Sequence, residues 1–398
     1  MTRKFMCIAL GLILAGLLLA GCGPKAQPVE LIVWSHLTQD EVNKLNEIAQ
    51  AWAKQTGNKV TVVADTSSFQ EFATAAKSGK ACDIMYGLPH DNLGTFQAAG
   101  LLEPVPEGII DKSQYTEGAI SAVSYEGKMW AIPIAMETYA LFYRTDKMDK
   151  PPATFEEFLK VAQEKGFAYD INNFYFSYAF ISAYGGYVFK DVGGKLDPQD
   201  IGLANEGAIK GFTLIGDFVH KYKFMPSDIN SDTAKGLFQN GQVALYISGP
   251  WDVKGFKDAQ VPFGVAPLPT LEGGAVPHPF MGVQAAFVSS ASKHKEQAWQ
   301  LMKYLVENSG IALFEVNPRI PARKVDRENE KVKSDPIMAG FAASAANAHP
   351  MPNIPEVQAM WTPGANALTV ITRGEQKPAD AAKACVQQIK EGIATMGK

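Results

Sequence analysis

From Glu30 onward, short β-branched apolar runs alternate with stretches in which apolar residues recur at helical spacing. Glu30 to Trp34 reads as a strand. Thr38-Gln39-Asp40-Glu41 is a capping box that opens a helix carrying Val42, Leu45, Ile48 and Trp52 on one face, and Gly57 stops it. Lys59 to Val63 predicts the next strand, Phe69 to Ala76 another helix, and Asp83 to Tyr86 a third strand. This order implies an α/β domain with parallel pairing. A second capping box at Thr154-Phe155-Glu156-Glu157 begins a helix ending near Gly166. Further helices are expected over Ala208 to Tyr222 and Lys293 to Glu307, and a buried strand over Val243 to Ile247, closed by Gly249-Pro250. The mixed α/β pattern persists to the end, without repeats or low-complexity tracts, and Pro-rich punctuation implies short linkers.

The first residues follow a different pattern. Arg3 and Lys4 precede an apolar run from Phe5 to Leu19, followed by Leu19-Ala20-Gly21-Cys22. This order predicts an export signal over residues 1–21. The run is shorter than the roughly 20 apolar residues a membrane span requires. Small residues directly before Cys22 match a bacterial lipobox, so Cys22 is the expected lipidation site, with 22–28 as a tether. Two or more acyl chains make a stable anchor where one binds only marginally. Ordinary signal cleavage is the alternative.

Roughly 375 residues then remain, enough for two domains. Without Arg3 and Lys4, the 37 basic residues become 35 against 41 acidic ones, a balance that argues against a nucleic-acid partner. Besides Cys7 and Cys22 there are only Cys82 and Cys385, and no Cys/His cluster, so no metal is expected. Cys82 and Cys385 read as two buried thiols, a disulfide between them being the alternative. Motifs for a nucleophile elbow, a phosphate-cradling loop and a zinc-binding His-Glu-x-x-His helix are missing. The six histidines are scattered singly and none is assigned a catalytic role. A glycosidase needs two facing carboxylates that can lie far apart in sequence, and Asp91 with Glu137 could be such a pair. The other reading makes them acceptors of sugar hydroxyl hydrogen bonds.

Three stretches carry a family resemblance: Tyr125-Glu126-Gly127-Lys128-Met129-Trp130-Ala131-Ile132-Pro133 running to Glu137, Gly249-Pro250-Trp251, and Met351-Pro352-Asn353-Ile354-Pro355 running to Trp361. All three resemble the bacterial maltose/maltodextrin-binding proteins, solute-binding components of ABC sugar importers, and the similarity extends over essentially the whole mature chain. The resemblance implies a two-lobed periplasmic-binding-protein-like fold (type II) with a hinge of crossing segments. Projected crossings near 133–138, 282–286 and 331–335 place one lobe at 29–135 plus 286–333 and the other at 139–281 plus 334–398. Cys82 and Cys385 then fall in different lobes, where a bond would oppose hinge motion. The resemblance also implies an extracytoplasmic, membrane-anchored monomer that binds an oligosaccharide, docks on ABC permease subunits, and needs no cofactor and no catalytic residues.

A pyranose presents flat C–H faces and an equator of hydroxyls, so it calls for aromatic platforms ringed by carboxylates and amides. Tyr175, Trp251 and Trp361 match the family's stacking positions, although an aromatic alone more often packs in a core. Phe176 and Met351 match further sugar contacts, with core packing equally open. Asp91 and Glu137 match acidic hydroxyl acceptors of the family. Trp34, Trp52, Trp130 and Trp299 are read as core. The chain also departs from the best-known member. It has Leu88-Pro89-His90-Asp91-Asn92 where that member has an aromatic and an Arg around the aspartate, Asn173 where it has an acid, and Thr38-Gln39 in place of an acidic-basic pair. These departures leave longer or cyclic glucans as open as maltose.

Overall fold

Capping and alternation set the first elements. A computed structural model describes residues 27–65, 69–193 and 195–396; the expected signal segment and the expected lipidation site Cys22 lie outside them. Strand β1 (Glu30–Ser35) leads into helix α1 (Gln39–Thr56), whose N-cap Thr38 and Glu41 form the reciprocal capping box. Gly57 ends α1 in the left-handed conformation. Strand β2 (Lys59–Ala64), helix α2 (Phe69–Lys77) and strand β3 (Ile84–Pro89) follow. Both β2 and β3 pair with β1 in parallel, as the alternation of strands and helices requires.

The large sheet then takes strands from far along the chain. Phe280–Val288 inserts antiparallel between β3 and Ile132–Thr138, and Ile320–Pro321 adds beyond it. The parallel pairing expected of the N-terminal region therefore covers only the first three strands. A second, four-stranded sheet runs Phe263–Ala266, Ala140–Arg144, Leu245–Ser248, Phe167–Ala168. Ile132–Thr138 in the large sheet is separated from Ala140–Arg144 in the small one by a single residue, Tyr139. The chain is thus a two-lobed α/β protein in which adjoining strands carry the backbone from one sheet to the other.

Each sheet has its own interior. Phe142, Phe167, Phe218, Phe238 and Phe256 are fully buried around the small sheet, while Leu31, Leu45, Trp52, Trp299 and Leu305 pack on one face of the large one. Phe72, Phe96 and Phe287 fill its other face, Phe287 meeting both others edge-on and Phe72 tilted against Phe96, with Trp34 and Trp130 packed against them half-buried. The helix expected over Lys293 to Glu307 continues to Val316, because apolar residues such as Leu313 and Phe314 keep facing the core. Cys82 and Cys385 are free thiols buried in separate interiors.

Candidate functional site

The segment after β3 makes one wall. A short 3-10 turn, His90–Asn92, carries three buried polar side chains. His90 Nδ1 accepts from the Val283 backbone N–H at 3.0 Å, so Nε2 holds the proton and donates to the Met351 carbonyl at 3.0 Å. Burial pushes the His90 imidazole down to about 4, which keeps it in that neutral form. One histidine thereby fixes Asp91 beside it and Met351 opposite. Gly94 lets the following turn of helix approach, since a Cβ there would lie 2.4 Å from the Asn353 carbonyl oxygen.

Asp91 is 5 % exposed. Burial pushes its carboxyl up to about 7, against the opposing pull of its own backbone N–H, Trp361 and Gln358. Glu137 comes from the end of Ile132–Thr138, where its strand neighbour is Gly282. Gln284 Nε2 donates to Glu137 Oε1 at 2.6 Å, and the Arg319 guanidinium pairs with Oε2. With both oxygens engaged, Glu137 is a poor proton shuttle, which removes one partner from the proposed glycosidase pair.

The aromatic wall belongs to the other lobe. Gly249 accounts for the Gly-Pro-Trp motif, because a Cβ there would stand 2.2 Å from the Trp251 ring. Trp251 lies 6.4 Å from Tyr175 and 6.3 Å from Phe176, both at tilted angles. Trp361 begins the helix Trp361–Thr372 and meets Phe174 and Phe280 edge-on at 6.4 and 6.0 Å. Both indoles are half-buried, and in none of these four contacts does another ring stack flat on them.

A cavity of about 350 Å³ separates the two walls, lined by Pro89, Asp91, Glu137, Tyr175, Trp251, Met351, Gln358 and Trp361. Six of the seven ligand contacts expected from sequence line it. Phe176 does not; it is buried edge-on against Tyr139 and Tyr175, supporting them from behind. Gln358, whose Nε2 donates to the Asp91 carbonyl at 3.1 Å, escaped sequence reasoning because a lone glutamine carries no spacing signal. The residues that depart from the best-known family member have structural partners. Thr38 caps α1, Asn173 caps Phe174–Ser182 by accepting from the Tyr175 N–H at 3.0 Å, and His90 bridges two chain segments. Among the described residues no cluster of His, Cys, Asp and Glu is arranged to hold a metal ion.

Two facing lobes, a largely apolar cavity between them with three aromatic rings in its lining, and a few fixed polar groups define a binding protein that encloses a small amphipathic molecule. The model of the bacterial extracellular solute-binding proteins matches residues 47–340, and the chain belongs to this family. It is a solute-binding protein rather than an enzyme, and its family is extracytoplasmic. It is 31 % identical to the galactooligosaccharide-binding protein of Bacillus subtilis (strain 168), over 94 % of each chain. It is 29 % identical, over 99 % of each, to a maltooligosaccharide ABC transporter solute-binding lipoprotein of Streptococcus pneumoniae (strain ATCC BAA-255 / R6). Among solved structures, the maltose-maltodextrin binding protein of Alicyclobacillus acidocaldarius superposes with a TM-score of 0.88 at 40 % identity, covering 91 % of this chain and all of that one.

Proposed function

We propose that this protein is the lipid-anchored, substrate-binding component of a carbohydrate ABC importer, and that its cleft takes maltodextrin-type α-glucans. The observation that carries the reading is one cavity lined by Trp251, Trp361 and Tyr175 together with the carboxyls of Asp91 and Glu137. Indoles left without a flat stacking partner offer a surface for the C–H faces of glucose rings. Asp91, Glu137 and Gln358 supply hydrogen bonds for the hydroxyl rim, Met351 adds an adaptable apolar contact, and Phe176 holds the platform. The maltooligosaccharide-binding relative and the maltodextrin-binding structural neighbour support this ligand class.

The lobes proposed are 29–135 with 286–333 and 139–281 with 334–398, so that ligand contacts from both halves reward closure. Permease subunits would receive the closed form. The anchor would be the lipidated Cys22, in keeping with the lipoprotein among the relatives. A galactooligosaccharide is the second reading, favoured by the Bacillus relative. Isothermal titration of the mature, tether-trimmed protein with maltose, maltotriose, a longer maltodextrin, a cyclodextrin and a galactooligosaccharide separates them. Saturable one-to-one binding confined to α-glucans, with the sugar recovered intact, is expected. Binding of the galactooligosaccharide alone would replace the ligand class, and turnover of any sugar would overturn the transport role.

A further inference from the structure

Arg319 lies outside every sequence motif and does not line the ligand cavity, yet the strand register delivers it to Glu137. Ile320 pairs with Met136 and Pro321 with Ala135 in antiparallel order, so Arg319 falls beside Glu137. On the opposite side the strand neighbour is Gly282, which offers no side chain. Arg319 is 8 % exposed, Glu137 8 % and Glu41 0 %. The guanidinium binds Glu41 in a fork, with Nε to Oε1 at 2.8 Å and Nη2 to Oε2 at 3.1 Å, while Nη1 pairs with Glu137. Burial pushes the Glu41 carboxyl up, but Arg319 and Thr38 outweigh it and hold Glu41 below its ordinary range. One buried cation therefore serves two buried carboxylates, only one of which lines the cavity.

We propose that Arg319 is a positioning residue for ligand recognition: it holds the Glu137 carboxyl aimed into the cavity, using Glu41 as a fixed brace. The brace continues outward. Glu41 Oε2 accepts from Thr38 N–H and Oγ1–H at 3.0 and 2.8 Å, and Asn317 Nδ2 donates to Thr38 Oγ1 at 3.1 Å. The Lys254 backbone N–H donates to Asn317 Oδ1 at 3.2 Å, and Lys254 Nζ stands 3.6 Å from Asp40. Lys254 follows Trp251 by three residues, so the network runs from the Glu137 carboxylate in the cavity to the helix Val253–Asp258 that follows Trp251. A planar fork makes three such contacts from one fixed position, which a lysine ammonium cannot reproduce.

This inference rests on the cavity's being the glucan site. The test is a double-mutant cycle on maltotriose affinity using the full mature chain, Arg319→Lys, Glu137→Gln and both together, with thermal melting of each. Arg319→Lys keeps the buried charge and so avoids leaving two carboxylates unpaired, as Arg319→Ala would. Arg319→Lys is expected to weaken maltotriose binding about tenfold in the wild-type background and less than about twofold beside Glu137→Gln. Glu41→Gln, which loosens the brace, is expected to lower the melting temperature and to weaken binding by less than Arg319→Lys does, a loss that should likewise vanish beside Glu137→Gln. Equal losses from Arg319→Lys in both backgrounds, or none, would overturn the assignment of Arg319 alone. Absence of binding by the wild type would instead remove the glucan reading and this inference with it.

Discussion

Asp91→Asn isolates one buried titrating group whose contribution to stability has a definite sign. The folded carboxyl is pushed up to about 7, whereas an unfolded aspartate titrates near 4. Between those values the folded protein retains a proton that the unfolded chain has released, so stability falls as pH rises. The Asp91 contribution is fully present below about pH 4 and is lost as pH rises through about 7, after which it levels off. Each unit of that window is worth up to about 1.4 kcal/mol, so between pH 5 and pH 8 the loss amounts to about 2.5 kcal/mol. Asparagine keeps the shape and a hydrogen-bonding edge without the titration, and any packing cost it brings is independent of pH. Urea denaturation of ligand-free wild type and Asp91→Asn at pH 5, 6, 7 and 8 measures the difference. The wild-type advantage should shrink by about 2.5 kcal/mol across the series. A difference that stays constant with pH would refute the buried environment assigned to Asp91.

Trp251→Ala and Trp361→Ala should each weaken maltotriose binding by more than about 1 kcal/mol, read by titration, with the proteins still folded. Gly249→Ala should approach the Trp251→Ala loss, because its Cβ occupies the space of the indole; affinities unchanged in all three would discredit the platforms. Cys22→Ala should release the protein from membranes into the soluble fraction with its sugar affinity intact, whereas a soluble wild type would contradict the anchor. Cys82 and Cys385 should both resist a thiol reagent until the protein unfolds, since burial raises both thiols, Cys385 to about 12; rapid labelling of the native protein would contradict it.

Local chemistry was the most legible part of this chain. Both capping boxes form where Thr38 and Thr154 place them, and Gly57 and Gly166 end the helices they follow. Periodicity also found β1, β2 and α1, because each depends on neighbours close in sequence. It could not reveal that Phe280–Val288 inserts next to β3, since a strand's period is the same whichever partner it takes. The same limit governs the site. Gly249-Pro250-Trp251 and the run from Met351 to Trp361 could be read as motifs, and their aromatics face one cavity. Arg319, Gln284 and Gln358 are single polar residues that tertiary register alone brings to Glu137 and Asp91. Phe176 shows the converse: the family resemblance matched it to a sugar contact with core packing equally open, and because successive positions of a helix point in different directions, Phe176 turns inward beside Tyr175.

The most direct test of the central claim is a crystal structure of the mature protein with maltotriose bound. Glucose rings lying flat on Trp251 and Trp361, with hydroxyls within hydrogen-bond distance of Asp91 and Glu137, are the predicted result. A saturated complex in which the sugar sits elsewhere, or in which those indoles make no contact with it, would contradict the account.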